Sequence, residues 1–403
     1  MPTESSLHPG QRARLSTLPE PDRESLRQSD RLVELIVERI YQSGGRLPFD
    51  NFMELALYAP GLGYYSAGMR KFGEQGDFIT APETSPLFAR CLARQCRQVL
   101  ESIGGGDVLE FGAGSGVLAA DLLEELEALG SLPDRYLIID VSPDLKARQK
   151  ALLLQRLPAM MDRIVWLDDF PEWGFRGVVI ANEVLDAMPV HRFRLDQGRV
   201  QEQYVEVADE RLRVSWGEAS AALRPAVERV LETSADLSAD FESELNLRAA
   251  PWLRALSERI ASGLMLIIDY GYNRAEYYHP QRDRGTLMCH YRHRAHPDPL
   301  FCPGLQDITA QVDFTSLAET ALETELAVCG YTTQAFFLMG CGLDRLLAES
   351  DPEDVQRHLK LMQGVKRLTL PSEMGERFKV LGLGRGVKLQ PIGFSLQDMR
   401  GRL

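Results

Sequence analysis

Positive charge is scarce in this sequence. Lys and Arg number 45 against 58 Asp and Glu, for a formal net charge of −13. Displacing counterions from a phosphate backbone needs the opposite balance, so a nucleic-acid substrate is disfavoured and a cationic one favoured. Long apolar runs are missing too. LMLII at 264–268 is among the longest, whereas a bilayer span needs about 20 residues. Cysteine is sparse: Cys91, Cys96, Cys289, Cys302, Cys329 and Cys341 contain no C-x-x-C pair. That excludes zinc-ribbon and thioredoxin readings, and scattered thiols point to a reducing compartment. The first thirty residues lack the apolar stretch of a signal peptide, and Glu4, Glu20, Asp22, Glu24 and Asp30 argue against a transit peptide. A cytoplasmic, bacterial protein is expected. With 44% hydrophobic residues over 403 positions, the chain can bury a sizeable core without staples.

Residues 1–30 are polar and read as an arm. A segment at 31–105 has helical spacing from Leu32 to Ile40, from Phe49 to Tyr58 and from Pro86 to Ile103, with a long Gly- and aromatic-rich loop at 61–86 expected to act as a lid. From Asp107 short β-rich runs alternate with helical patterns: DVLEF, RYLIID, RIVWL, GVVIA and LMLIID. Strands separated by helices imply parallel βαβ units. The expected fold is α/β, a doubly wound, mostly parallel seven-stranded sheet formed by 106–189 and 256–395. Residues 190–255 break the alternation and read as an insertion, with a hairpin at 200–216 turning near Ala208-Asp209 and then an acidic helix. A further strand is expected at 332–339, and FKVLGLG at 378–384 closes the sheet.

The run VLEFGAGSG at 108–116 takes a strand into Gly112, Gly114 and Gly116 and then into a helix. Glycines at that junction let backbone N–H groups approach a ligand at the strand ends. The dinucleotide fingerprint would need glycine where Val117 stands, and Glu110 would repel a pyrophosphate. Glu110 instead suits the amino group and positive sulfonium of S-adenosylmethionine, which carries no phosphate. Asp140 ends the next strand, suited to ribose hydroxyls, and Asp168 and Asp169 follow the third, in reach of an adenine amino group. That ordered set makes S-adenosylmethionine the expected cofactor.

After the fourth strand come Asn182, Glu183 and Asp186. Carboxylates are rarely buried unpaired, so a cluster beside a methyl donor calls for a cationic acceptor. Two carboxylates can hold a guanidinium and favour the build-up of charge during transfer, which matters because arginine loses its proton only above about pH 12. The same residues also suit a helix cap with acidic first-turn positions. In the 61–86 loop, Asp77, Thr80, Pro82 and Glu83 are candidates to close over the cofactor. His290, His293 and His296 are three apart, but their loop setting lacks cysteine or carboxylate ligands at usable spacing, and no metal is expected. One of them could accept a proton.

KFGEQGDFITAPETSPLF, VLEFGAGSGVLAADLL, YLIIDVSPDL, NEVLDAMPV, IIDYG and GTLMCHYRHR…GLQDITAQVDF occur in this order. Together they resemble the MidA family, which comprises the mitochondrial complex I assembly-factor arginine methyltransferase and its bacterial relatives. The resemblance runs over roughly 45–395. It implies protein arginine N-methylation, with symmetric dimethylation in the eukaryotic members, on a protein with an accessible arginine. It also implies no nucleic-acid partner and no membrane insertion; a homodimer is an allowed assembly. Asp140 stands where the family more often has Glu, and Gln311 where it has His. The competing readings are methylation of a small molecule or another side chain, and a cofactor-binding assembly chaperone without turnover.

Overall fold

A computed structural model of the chain describes residues 18–67, 80–234, 237–351 and 353–403. Its contacts form two compact units: Met1–Phe78 with Asp186–Ala249 and Arg274–Gln311, and Ile79–Leu185 with Ala250–Asn273 and Val312–Leu403.

The second unit is an α/β structure on a mixed sheet. Its strands are β1 (Asp107–Phe111), β2 (Tyr136–Ile139), β3 (Ile164–Leu167), β4 (Phe175–Asn182), β5 (Ile260–Tyr272), β6 (Val312–Asp313), β7 (Ala327–Thr333) and β8 (Phe378–Arg385). They lie in the order β7-β8-β5-β4-β1-β2-β3, with β6 beside the end of β5. Neighbours from β5 to β3 run parallel, while β8 is antiparallel to both β5 and β7. The expected seven strands form this continuous order and most neighbours are parallel, but the sheet is mixed at its β7-β8 edge and, among the described residues, gains β6 as an eighth short strand. Between β1 and β2 lies helix α1 (Val117–Ala128), and between β2 and β3 helix α2 (Pro143–Arg156). The chain enters the sheet at β1, moves outward to β3 and returns on the other side of β1 with β4. That reversal makes the carboxyl ends of β1 and β4 a topological switch point, where open α/β sheets bind ligands.

Side-chain alternation explains the packing. Val108, Tyr136, Ile138, Val178, Ile180, Leu264 and Leu266 form one cluster with Leu92 and Cys96 of the Pro86–Ile103 helix and Leu118 and Leu122 of α1. Phe111, three positions from Val108 on β1, instead meets Trp252 at 5.3 Å between ring centroids, from the Ala249–Arg259 helix. The stretch expected as a strand at 332–339 is a strand only to Thr333. Helix Gln334–Gly340 takes the rest, because the Thr333 side chain caps it by accepting from the Phe336 N–H. A short apolar run such as AFFLM fits either structure until a cap decides.

In the first unit a helix spans Arg23–Gln42, starting ahead of the apolar periodicity at Leu32 and inside the segment read as an arm. Asp22 starts it by accepting the Glu24 and Ser25 N–H groups at 3.0 and 2.9 Å. The next helix is Phe49–Tyr58. Strand Arg199–Ala208 pairs antiparallel with Arg46–Pro48, His191–Asp196 and Arg211–Glu218, and His191–Asp196 also pairs with Glu242–Leu245. The hairpin of 200–216 turns at Asp209-Glu210, both at positive φ. Met288–Tyr291 pairs with Arg294–His296 and with Asp307–Thr309 in a three-stranded sheet.

A candidate active site at the strand ends

The glycine loop begins where β1 ends. Gly112, Gly114 and Gly116 have φ of 60°, 54° and 88°, a region that favours glycine. A Cβ on Gly116 would lie 3.3 Å from the Gln149 backbone. Gln149, fully buried on α2, ties the region together. Its amide nitrogen donates to Asp140 Oδ2 at 2.8 Å and to the Gly114 carbonyl at 3.1 Å. Its oxygen accepts from Trp166 Nε1 at 3.0 Å. The other Asp140 oxygen takes the Ser142 N–H at 2.9 Å. Asp140 is thus locked at the end of β2 with its orientation set by the glycine loop itself. The next residue, Val141, is 71% exposed, an apolar surface beside a buried carboxylate at the ligand-binding edge. Neither Gln149 nor Val141 stood out in the sequence. The signal available was position: one follows the strand-end acid and the other lies on the helix after it.

Glu110 lies near the end of β1, on its buried side. Its side chain is buried on the same face as Val108, where the Tyr136 hydroxyl donates to it at 2.7 Å. Burial, opposed by that hydrogen bond and joined by the Asp140 charge, pushes it up to about 8. Burial therefore favours its neutral form more than in an exposed glutamate. Asp168 and Asp169 are exposed. Asp168 pairs with Lys146 Nζ at 2.7 Å, which holds its carboxyl below the usual range, and Asp169 accepts its neighbour Phe170's N–H.

At the end of β4, Glu183 adopts φ 53°, a left-handed backbone that is costly for a residue with a side chain. Its Oε1 accepts the Ala81 N–H at 3.2 Å and the Asn182 amide at 3.1 Å. Asn182 Oδ1 is buried and has no partner among the described residues. An orphaned buried acceptor at a switch point is where a ligand donor fits. Glu183 also anchors the 80–84 segment. Thr80 begins the short helix Ala81–Thr84, and Glu83 on it accepts the Ser115 hydroxyl from the glycine loop. Through Ala81 and Glu83 this short helix is connected to both strand ends. Asp77 and much of the expected lid lie outside the described residues. Asp269, fully buried on β5, accepts the Leu185 N–H at 2.9 Å and fixes the chain beyond Glu183. Asp186, three residues after Glu183, belongs to the other unit, where its carbonyl accepts the Ala310 N–H at 3.0 Å.

His290 and His296 sit on paired strands, but His290 is opposite Ala295 and His296 opposite Cys289, so their side chains leave opposite faces of the ladder. Burial lowers both, His296 to about 4.

The S-adenosyl-L-methionine-dependent methyltransferase family matches residues 91–332. A protein arginine methyltransferase of Drosophila melanogaster, the mitochondrial NDUFAF7 homolog, is 31% identical over 88% of this chain and 86% of its own length. The human mitochondrial protein arginine methyltransferase NDUFAF7 is 29% identical over 87% and 82%. A crystal structure from Burkholderia thailandensis, bound to S-adenosyl-homocysteine, superposes with a TM-score of 0.91 at 42% identity, covering 96% of this chain and 100% of that one.

Proposed function

This chain belongs to the S-adenosyl-L-methionine-dependent methyltransferase family, and on that premise we propose that its acceptor is the guanidinium of a protein arginine. The cofactor supplies an electrophilic methyl group on a positive sulfur. The residues present suit it. The loop Gly112–Gly116 leaves room for close backbone approach, and Asp140 offers a fixed acceptor for the ribose hydroxyls. Val141 offers an apolar surface for the adenine, with Asp168 or Asp169 assigned to its amino group. Asn182 Oδ1 accepts a donor from the bound ligand, Glu83 braces the glycine loop through Ser115, and Thr80 is assigned to the cofactor. Glu110, held by the Tyr136 hydroxyl at the strand end, is assigned to the positive amino group of the cofactor.

The observation that carries the acceptor reading is Asp186, only 6% exposed and directly downstream of Asn182 and Glu183. A buried carboxylate a few residues beyond the strand-end Asn182 and Glu183 offers a charged partner to a cationic acceptor. In transfer, the arginine nitrogen bonds the methyl carbon as the carbon–sulfur bond breaks, and the nitrogen then gives up a proton. Asp186 offsets the charge that builds on the guanidinium and can take that proton. The names of the relatives support the same acceptor.

The test is labelled methyl donor added with purified protein to a lysate that lacks it, followed by mass spectrometry of the labelled species. Label on arginine of a protein is expected, and a peptide of that sequence with lysine in place of the arginine should not react, because an ammonium cannot make the planar paired contact. Label confined to small molecules, equal labelling of the lysine peptide, or no turnover would overturn the reading.

A further inference from the structure

We propose that Asp50, His191 and Glu202 form a binding site for a divalent cation, zinc by the chemistry of its donors. The site lies wholly in the first unit and uses no residue assigned above to the cofactor or the acceptor. Asp50 stands in the first turn of helix Phe49–Tyr58. His191 opens strand His191–Asp196, and Glu202 lies on the neighbouring strand Arg199–Ala208. Phe193 pairs with Glu202, so His191, two residues before Phe193, leaves the same face of the ladder as Glu202. One donor atom from each of the three residues lies within 4.8 Å of the other two. His191 Nδ1 is 2.8 Å from Glu202 Oε1 and 3.6 Å from Asp50 Oδ1.

The observation that points to a ligand is Asp50 Oδ1. Asp50 is only 7% exposed, and this oxygen is buried with no hydrogen-bond partner among the described residues. It faces the imidazole across a gap too long for a hydrogen bond. A buried anionic oxygen is costly to leave unsatisfied, and a cation between Asp50 and His191 satisfies it. The outer partners are arranged as they are around a metal. Asp50 Oδ2 takes Arg248 at 3.2 Å, and Glu202 Oε2 takes the Ser220 N–H at 2.7 Å. Each carboxylate is thus held by one oxygen and turns the other toward His191. Arg248 is shared with Glu54 at 2.9 Å, so its charge does not cancel that of the cluster. One imidazole and two carboxylates suit zinc, with bonds of about 2.0–2.2 Å and a fourth position for water. Tetrahedral bonds of that length place donor atoms about 3.3 Å apart, between the two distances measured from His191. On binding, the ion replaces the proton on Nδ1, which leaves to solvent. The ion then fastens the helix to both strands.

The test uses the full chain stripped of metal by a chelator, with zinc chloride as the probe. Calorimetry should find one equivalent of zinc on wild type that His191→Asn lacks. Asp50→Asn keeps shape and loses charge, and should weaken that equivalent about 100-fold or more, beyond the effect of losing an outer partner. His279→Asn, at an exposed histidine of the same unit, should leave zinc uptake unchanged. Affinity for S-adenosylhomocysteine should stay within about two-fold in every variant, which reports that each is folded. X-ray absorption of wild type loaded with one equivalent of zinc needs no variant. It should show only nitrogen and oxygen neighbours, with one imidazole at about 2.0–2.1 Å. Sulfur neighbours would put the ion on the cysteines, and a second imidazole would put it among other histidines; either result overturns the proposal. So does a wild type that takes up no zinc, which would leave His191 sharing a proton with the two carboxylates, or a His191→Asn protein that takes up as much as wild type. The arginine reading stands or falls by its own test in each case.

Discussion

Glu110 sits between two demands. It ends a strand at the cofactor edge, yet its carboxyl is buried against Tyr136 and pushed up to about 8. A raised folded-state value means that the stability it contributes is fully present below the ordinary glutamate range, near 4.5, and is lost as pH climbs through about 8. Glu110→Gln keeps an oxygen for the Tyr136 hydroxyl and cannot ionise. Denaturant unfolding should find the two proteins alike at acid pH. Above pH ~8 the Gln variant should be the more stable, by an amount on the order of a few kcal/mol. Parallel pH profiles for the two proteins would remove the buried-acid account. The residue scale also divides the acidic cluster that the sequence presents as one. Glu183 accepts the Ala81 and Asn182 N–H groups on Oε1, whereas Asp186 falls in the other unit, where its carbonyl accepts the Ala310 N–H. Their type and order were readable along the chain. Their partners were not, because a carboxylate's role depends on which donor meets it.

At the scale of elements, the sheet is drawn tight where β1, β4 and β5 begin. Asp107, Gly177 and Gly263 are in register across the three strands. A Cβ on Gly177 would sit 1.8 Å from the Asp107 carbonyl oxygen, and φ there is 147°. Gly177→Ala should therefore force these strands apart and cost about 3 kcal/mol or more, even though alanine is the smallest possible addition. Thermal and urea unfolding check this, and a loss below about 0.5 kcal/mol would mean that the strands are free to separate. The helices at Phe49–Tyr58 and Pro86–Ile103 coincide with their expected limits because local spacing governs both and the Ser85 side chain caps the second. The strand expected at 332–339 failed for the opposite reason. Its apolar residues lack a distinguishing period, and the cap at Thr333 together with pairing to β8 decides where sheet gives way to helix.

For the whole molecule, each unit has a hydrophobic cluster of its own: one around Val108, Leu122, Ile180 and Leu266, the other around Leu32, Ile36, Phe52 and Val205. Separate cores allow ligand effects to be localised. S-adenosylhomocysteine at about 100 times its dissociation constant should add about 2.7 kcal/mol to the stability of the state that binds it. Hydrogen exchange should then slow most strongly at 110–117 and 140–149, where the glycine loop, Asp140 and Gln149 interlock. Protection spread evenly over both units, or confined to the first, would contradict a cofactor site on β1 and β2. The sequence by itself determined the methyltransferase core: strand, glycine loop and helix, then an acid after each of the next strands. Each of those signals lies within about ten residues of chain, where period, capping and glycine geometry act locally. Only the tertiary structure decided that Gln149 ties Asp140 to the glycine loop, that Glu110 is buried against the Tyr136 hydroxyl, and that Tyr65 meets Asp307 across 242 positions. Such contacts arise when distant segments are folded together and water is removed from between them, and no local pattern encodes the partner or the loss of solvent.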